Sequence, residues 1–183
     1  MTKLRRCIWV DDYTQKYHDE EWGEPVYDDR LLFEMLVLES FQAGLSWVIV
    51  LKKREGFRAA FDNFDPELIK DYSQEKIEQL QTDDRIIKSK AKIVATVNNA
   101  KVFLAIQQEF GSFANYLWKF TDNKIITIHD NQLPEEYQGL AAKISKNLKK
   151  RGMKFMGEVT TYSYLQAIGV VNNHDSFCYK CQG

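Results

Sequence analysis

Proline is scarce in this chain, with three residues in 183, and no tract of low complexity interrupts it. Pro-rich linkers are therefore excluded, and a hydrophobic content of 44% predicts a chain that is globular throughout. Long apolar runs are missing too. The longest are far too short to span a bilayer, so no membrane partner is expected. The amino terminus, MTKLRRCIWVDD, meets acidic residues before any secretory hydrophobic region can form, and a cytoplasmic protein is expected. Cysteine is also sparse: three residues in a reducing compartment suggest a metal or free thiols, not a disulfide framework. Neither charge is in surplus, the formal net charge being −1, so a nucleic-acid partner must be met by local basic patches. The length suits one domain with a real core, or two small lobes sharing one.

What the chain does have is a carboxylate where an apolar side chain is expected. Residues 31–47 read LLFEMLVLESFQAGLSW. At 100° per residue, Leu32, Met35, Leu36 and Ala43 share the helix face that a soluble helix turns toward its core. Glu39 falls in the middle of that stripe, and Glu34 falls on the opposite face. Gly44 supplies a helix stop, and Ser46 can cap a second helix opening with Trp47. A carboxylate aimed at the core costs several kcal/mol, roughly, unless it is paired or a ligand uses it. The residues alone leave both open: a local Arg or Tyr could satisfy Glu39, or a ligand could.

Residues 7–23, CIWVDDYTQKYHDEEWG, interleave Trp9, Tyr13, Tyr17 and Trp22 with Cys7 and His18. Singly, such aromatics pin a terminus to the core. Together with Glu39 and Trp47 they could wall a pocket for a flat, electron-poor ligand, because aromatic faces attract cations by about 0.5–2 kcal/mol each.

From Asp28 the pattern is helical nearly to the end. Asp28 or Asp29 can cap the helix just described, and the next is expected from Ser46 to about Glu55, stopped by Gly56. Asp65-Pro66 is an N-cap followed by a first-turn proline, and Ser73 caps another short helix. The longest periodic stretch spans 86–110, with Ile93, Val97, Ala100 and Leu104 on one face and Gly111 at its end. Ser112 opens a short aromatic helix through Tyr116 and Trp118. A polar connector over 122–134 follows, holding His129, which is expected to face solvent. No internal repeat is present.

Residues 138–152, QGLAAKISKNLKKRG, read as one helix, with Lys149, Lys150 and Arg151 complementing the dipole in its last turn. A further helix starts near Val159. The segment between, Gly152 to Gly157 with Lys154 inside it, is a short Gly-bounded hairpin. Such a hairpin can offer backbone N–H groups and lysines to phosphates, fixing position without reading bases.

Near the other end, His174 and Cys178 lie four residues apart, which on a helical turn puts them on one face. Cys7 and His18 supply the complementary pair, and the Cys₂His₂ set is the usual composition of a closed structural zinc site. Cys181 is an alternative to Cys178 whose spacing fits one face less well. Such a site would clamp the two ends of the chain together, and metal binding would add directly to folding stability. With four protein ligands, the zinc would not be catalytic.

YHDEEWG (17–23), LESFQAGLSW (38–47), LKKRG-KF-G (148–157), TYSYLQAIG (161–169) and the His174–Cys178 pair resemble the 3-methyladenine DNA glycosylase I family nearly end to end. The resemblance implies an all-α, two-lobed fold of the helix-hairpin-helix glycosylase superfamily, with a zinc clamp on Cys7, His18, His174 and Cys178. It implies a base pocket on Glu39, Tyr17 and Trp47, with Trp9, Trp22 and Ser163 nearby. The turn of Gln42, Gly44 and Leu45 falls where the family fills the space left by a flipped nucleotide. Its partner would be double-stranded DNA carrying alkylated bases, met by a monomer.

The chain departs from the family pattern in places. The loop from Cys7 to His18 is two residues shorter, and the second pocket tyrosine is replaced by Thr14, with Tyr13 one place earlier: either Tyr13 swings into the same space, or the pocket is more open on that side. Asn173 stands where Asp is usual, and Asn172 stands where most of the superfamily carries a catalytic Asp. The resemblance thus implies the branch that excises bases already weakened by alkylation, with Glu39 as an ionised acceptor and the catalytic group. A binder of alkylated bases without catalysis is the alternative. A lyase would need a pocket lysine, which the motifs do not supply. A merely zinc-stapled helical protein would leave Glu39 unexplained.

Overall fold

The computed structural model describes residues 4–128 and 133–181, and His129 lies outside them. In chain order the helices are α1 (Gln15–Glu20), α2 (Asp29–Gln42), α3 (Trp47–Ala60), α4 (Pro66–Ile69), α5 (Gln74–Thr82), α6 (Lys90–Phe110), α7 (Phe113–Trp118), α8 (Leu140–Lys150) and α9 (Glu158–Ala167). Among the described residues no helix is long and apolar enough to cross a membrane.

α2 is the axle. Asp28 caps it by accepting from the Leu31 N–H at 2.9 Å. The neighbouring Asp29 accepts from the Phe113 and Ala114 N–H groups at 2.8 and 2.9 Å, which caps α7 and ties it to α2. Every residue from Leu32 to Phe41 is buried. A helix buried all round must be enclosed, and α3, α6, α7 and α9 enclose it. The two-faced stripe expected from the sequence is therefore corrected: Glu34 is as buried as Glu39, and Ala43 lies exposed beyond the helix end. Two polar atoms inside this core are paired across it: Tyr164 Oη donates to Leu32 O and Trp118 Nε1 to Val26 O, both at 2.9 Å.

Several local expectations change. α3 does not stop at Gly56 but runs through it to Ala60. The glycine serves packing there, since a Cβ would sit 2.4 Å from the Arg85 carbonyl oxygen. α6 begins at Lys90 rather than near 86, because Asp83 first closes a turn by accepting from the Arg85 N–H. α1, which carries Tyr17 and His18, has no apolar period long enough to announce it. The fold is mostly helical rather than purely so. β1 (Ile126–Thr127), inside the expected polar connector, pairs in parallel with β2 (Val171–Asn172), Ile126 opposite Val171. This pairing brings the stretch before His174 into the core, where Val170 and Val171 are fully buried.

Candidate active site and metal centre

The residues after β2 do not form the expected helical turn. Cys178 N–H instead donates to Asp175 O at 2.7 Å, and this tighter turn still aims His174 and Cys178 at one point. The opposite end of the chain meets them there. Cys7, His18, His174 and Cys178 are all buried, and their ligand atoms lie within 4.8 Å of one another. Cys7 Sγ is 3.4 Å from His174 Nδ1, while Cys178 Sγ is 3.4 Å from His18 Nε2 and 3.7 Å from His174 Nδ1. A tetrahedral zinc with ordinary bond lengths has S···N edges of about 3.5 Å, so the donor set fits the ion. Its outer partners fit as well. His18 Nδ1 lies 2.8 Å from Asp19 Oδ1, which leaves Nε2 free to ligate, and Arg6 holds Asp19 through both carboxylate oxygens. Asp175 N–H donates to Cys7 Sγ at 3.3 Å. Gly23, at φ +79°, lies against the His174 ring, where a Cβ would come within 2.7 Å of Nε2. Cys181 is not part of the cluster; its N–H closes the next turn on Cys178 O.

The cluster shares a wall with a cavity. Trp22 meets His174 edge-on at 4.6 Å between ring centroids, and Trp9 meets both His18 and Trp22. On the far side of these rings lies a space of about 310 Å³, at the small end of ligand pockets. Trp9, Tyr17, Trp22, Glu39, Gln42, Trp47 and Ser163 line it, with Gln166, Asn173 and Asp175. Tyr17 and Trp47 lie tilted at 5.3 Å.

Among the described residues, several polar groups of this cavity lack hydrogen-bond partners, Trp47 Nε1 and the Glu39 carboxyl among them. Trp47 Nε1 is buried and makes no hydrogen bond among the described residues. Glu39 is 4% exposed, and burial alone pushes its carboxyl up to about 8. With no ligand bound, this burial favours the protonated carboxyl. Burial also holds the Tyr17 hydroxyl well above its usual value, with the Glu39 charge adding to it, so Tyr17 remains a donor. A larger cavity of about 590 Å³, between α7 and α8, holds neither Glu39 nor any of the four clustered ligands.

At the pocket rim α2 ends in the 42–45 turn, with Gly44 at φ +84°. Leu45 N–H donates to Gln42 O at 2.7 Å, and Gln42 Nε2 returns to Leu45 O at 2.9 Å. α8 and α9 pack together, joined by residues 151–157. Lys149, Lys150 and Lys154 are exposed there. Arg151 is not free in the same way. It forms a two-pronged pair with Glu109 at 2.6 and 3.0 Å, bonds Asn147, and stacks over Phe110 and Tyr116.

The methyladenine glycosylase family model matches residues 8–181. The chain belongs to this family. It is 42% identical over 179 residues to DNA-3-methyladenine glycosylase 1 of Escherichia coli, covering 96% of each chain. It is 40% identical over 177 residues to DNA-3-methyladenine glycosylase of Haemophilus influenzae, covering 94% of this chain and 96% of that one. The structure of 3-methyladenine DNA glycosylase I from Staphylococcus aureus, solved for its 3-methyladenine recognition, superposes with a TM-score of 0.89 at 34% identity, over 98% of both chains.

Within this methyladenine glycosylase, one expected pocket residue is elsewhere. Tyr13 is 64% exposed and lies under the Lys52 ammonium at 3.9 Å instead of entering the cavity. Thr14 explains this. Its hydroxyl and N–H bond the Asp11 carboxylate at 2.9 Å, a turn that faces Tyr13 outward. Asn172 is likewise a turn residue, its amide oxygen accepting from His174 N–H at 3.2 Å. Gln166, Asn173 and Asp175 line the pocket without having been singled out as pocket residues. Gln166 lies one helical turn beyond Ser163 on α9, and that spacing was the available signal.

Proposed function

We propose that the protein is a monofunctional DNA-repair glycosylase that turns an alkylated nucleotide out of duplex DNA and hydrolyses 3-methyladenine from it. The observation that carries this is the pair of unpartnered groups, the Glu39 carboxyl and Trp47 Nε1, in an aromatic cavity of base size. Family membership and the named relatives supply the reaction.

N3-methylated adenine is cationic in the nucleotide, so the bond from its N9 to C1′ is already weak. The electron pair of that bond goes to the base, which leaves neutral. Water then adds to C1′ and gives up a proton, with no covalent enzyme intermediate. Extrusion of the nucleotide costs a few kcal/mol, roughly. The pocket repays it with the Trp47 and Tyr17 faces and with the Glu39 carboxylate as acceptor for the exocyclic amine. A neutral purine gains less, because only a cation offsets the desolvation that keeps Glu39 protonated.

We read α8, residues 151–157 and α9 as the superfamily's helix-hairpin-helix, its lysines and free N–H groups gripping the backbone beside the lesion. The 42–45 turn, with Leu45 at its tip, fills the vacated space. Cys7, His18, His174 and Cys178 hold one structural zinc, which when bound fixes the two chain ends and the Trp9–Trp22 wall resting on its histidines.

The test is release of free base from duplex DNA treated with a methylating agent, resolving 3-methyladenine from 7-methylguanine. Release of 3-methyladenine alone supports the reaction and a narrow pocket. Equal release of both keeps the reaction and means that the space vacated by Tyr13 widens the range. A folded protein that binds the duplex but releases nothing is a lesion binder, and the proposal fails.

A further inference from the structure

A turn that must enter a base stack works only if its shape is set beforehand, since ordering it on binding would consume affinity. The 42–45 turn stands at the C-terminus of α2, where carbonyls have no helical partner and the dipole is negative. Lys92, in the first turn of α6, reaches across to it. Its Nζ donates to Phe41 O and to Ala43 O, both at 2.9 Å. Among the described residues no other side chain outside the turn bonds the backbone of 41–45. Lys92 lies outside the lining of the Glu39 cavity.

The same face of α6 holds the other proposed DNA element. Seven residues on, Asn99 Nδ2 donates to Lys154 O at 2.9 Å while its Oδ1 accepts the Lys154 N–H at 2.8 Å. Asn98 Nδ2 donates to Gly152 O at 2.8 Å. Lys92 and Asn99 are two helical turns apart, about 10 Å along the axis. One rigid helix thus fastens both the turn and the 152–157 hairpin.

We propose that Lys92 is a positioning residue for base excision: it holds the 42–45 turn in one shape and at one distance from the hairpin, so that wedge and backbone grip engage the duplex together. This rests on the glycosylase reading above. A Lys92 acting this way affects a base inside a duplex and leaves the affinity for free base untouched, whereas a Lys92 that merely supports the fold affects both.

The experiment compares Lys92→Met and Lys92→Arg with the wild type. It measures kcat and KM for 3-methyladenine release from a methylated duplex, and affinity for free 3-methyladenine by quenching of tryptophan fluorescence. Lys92→Met is expected to lose about 10- to 100-fold in kcat/KM, as for other displacements of a reacting geometry by about 1 Å. Its free-base affinity stays at the wild-type value, and Lys92→Arg recovers most of the loss. Lys92→Gln, which cannot span both carbonyls, gives the same comparison should the methionine variant not fold. A Lys92→Met protein as active as wild type overturns the inference, as does a parallel fall in free-base affinity. Absence of release by the wild type itself overturns the glycosylase reading and this inference with it. Release by the wild type with no loss in the variant overturns this inference alone.

Discussion

Glu34 and Glu39 lie five residues apart on α2 and are equally buried, at 4% exposure each, yet only Glu34 is paired. Its Oε1 accepts from Arg54 Nε at 2.6 Å and from Arg58 Nε at 3.0 Å, and Arg54 continues to Glu21 at 2.7 Å. That network joins α2 and α3 to the residue that ends α1. Glu39 points instead into the cavity beside Trp47 Nε1. One carboxylate holds helices together, and the other faces an open cavity.

Stability should therefore depend on pH through Glu39. Its carboxyl is raised from an ordinary 4.5 to about 8 by burial, so the folded state holds a proton that the unfolded state has lost between those values. Stability falls as pH rises through this window and levels off above about 8. Full ionisation costs about 3–5 kcal/mol. Glu39→Gln should melt higher than wild type at pH 8, lack this decline, and still lose at least about 100-fold in excision. Denaturant titrations from pH 5 to 9 test the first part; a variant with the wild-type slope removes Glu39 as its source.

Catalysis should carry the same ionisation with the opposite benefit. A cationic base favours the ionised carboxylate, so kcat/KM for 3-methyladenine release should rise with pH through about 8, the free-protein value. A flat profile across pH 6–9 in the wild type would separate Glu39 from base recognition.

Glu34→Gln should behave differently from its neighbour. It leaves the buried Arg54 guanidinium with a single carboxylate partner, Glu21, and should lower stability by about 2–4 kcal/mol. Free-base affinity per folded molecule should not change. A pocket defect larger than the folding defect would mean that this network reaches Tyr17.

Removal of the metal should be felt in the pocket. One zinc per chain is expected by elemental analysis. A chelator, or Cys178→Ser, should lower the melting temperature and shift tryptophan fluorescence, because Trp22 rests on His174 and Trp9 on His18. Protein free of zinc and indifferent to added zinc would sink the metal assignment.

DNA affinity should divide the basic residues near the hairpin. Replacing Lys149, Lys150 and Lys154 together by Ala should make the salt dependence of duplex binding shallower by about 2–3 in log–log slope. Arg151→Ala should instead loosen the α6–α8 contact, since its guanidinium is held by Glu109, Asn147 and two aromatic rings. An unchanged slope in the triple variant would turn the hairpin away from DNA.

The sequence by itself determined whatever is local or chemical in kind. Side-chain caps at Asp28, Asp65, Ser73 and Ser112 start helices where expected, and the two-plus-two Cys/His set named four residues that the fold gathers. A glutamate in an apolar run marked the site. Only the tertiary structure decided which glutamate was spare, because helical periodicity gives a direction for a side chain but not what stands opposite it. Arg54 and Arg58 arrive beside Glu34 from α3, some twenty residues along. Gly56 reads as a stop until Arg85 is brought within contact of it. The strands at 126–127 and 171–172 are too short to show a period and exist only as a pair. Tyr13 and Arg151 were placed by motif, and the fold gave each a closer partner: long-range pairing is set by which surfaces meet, and no local pattern contains that information.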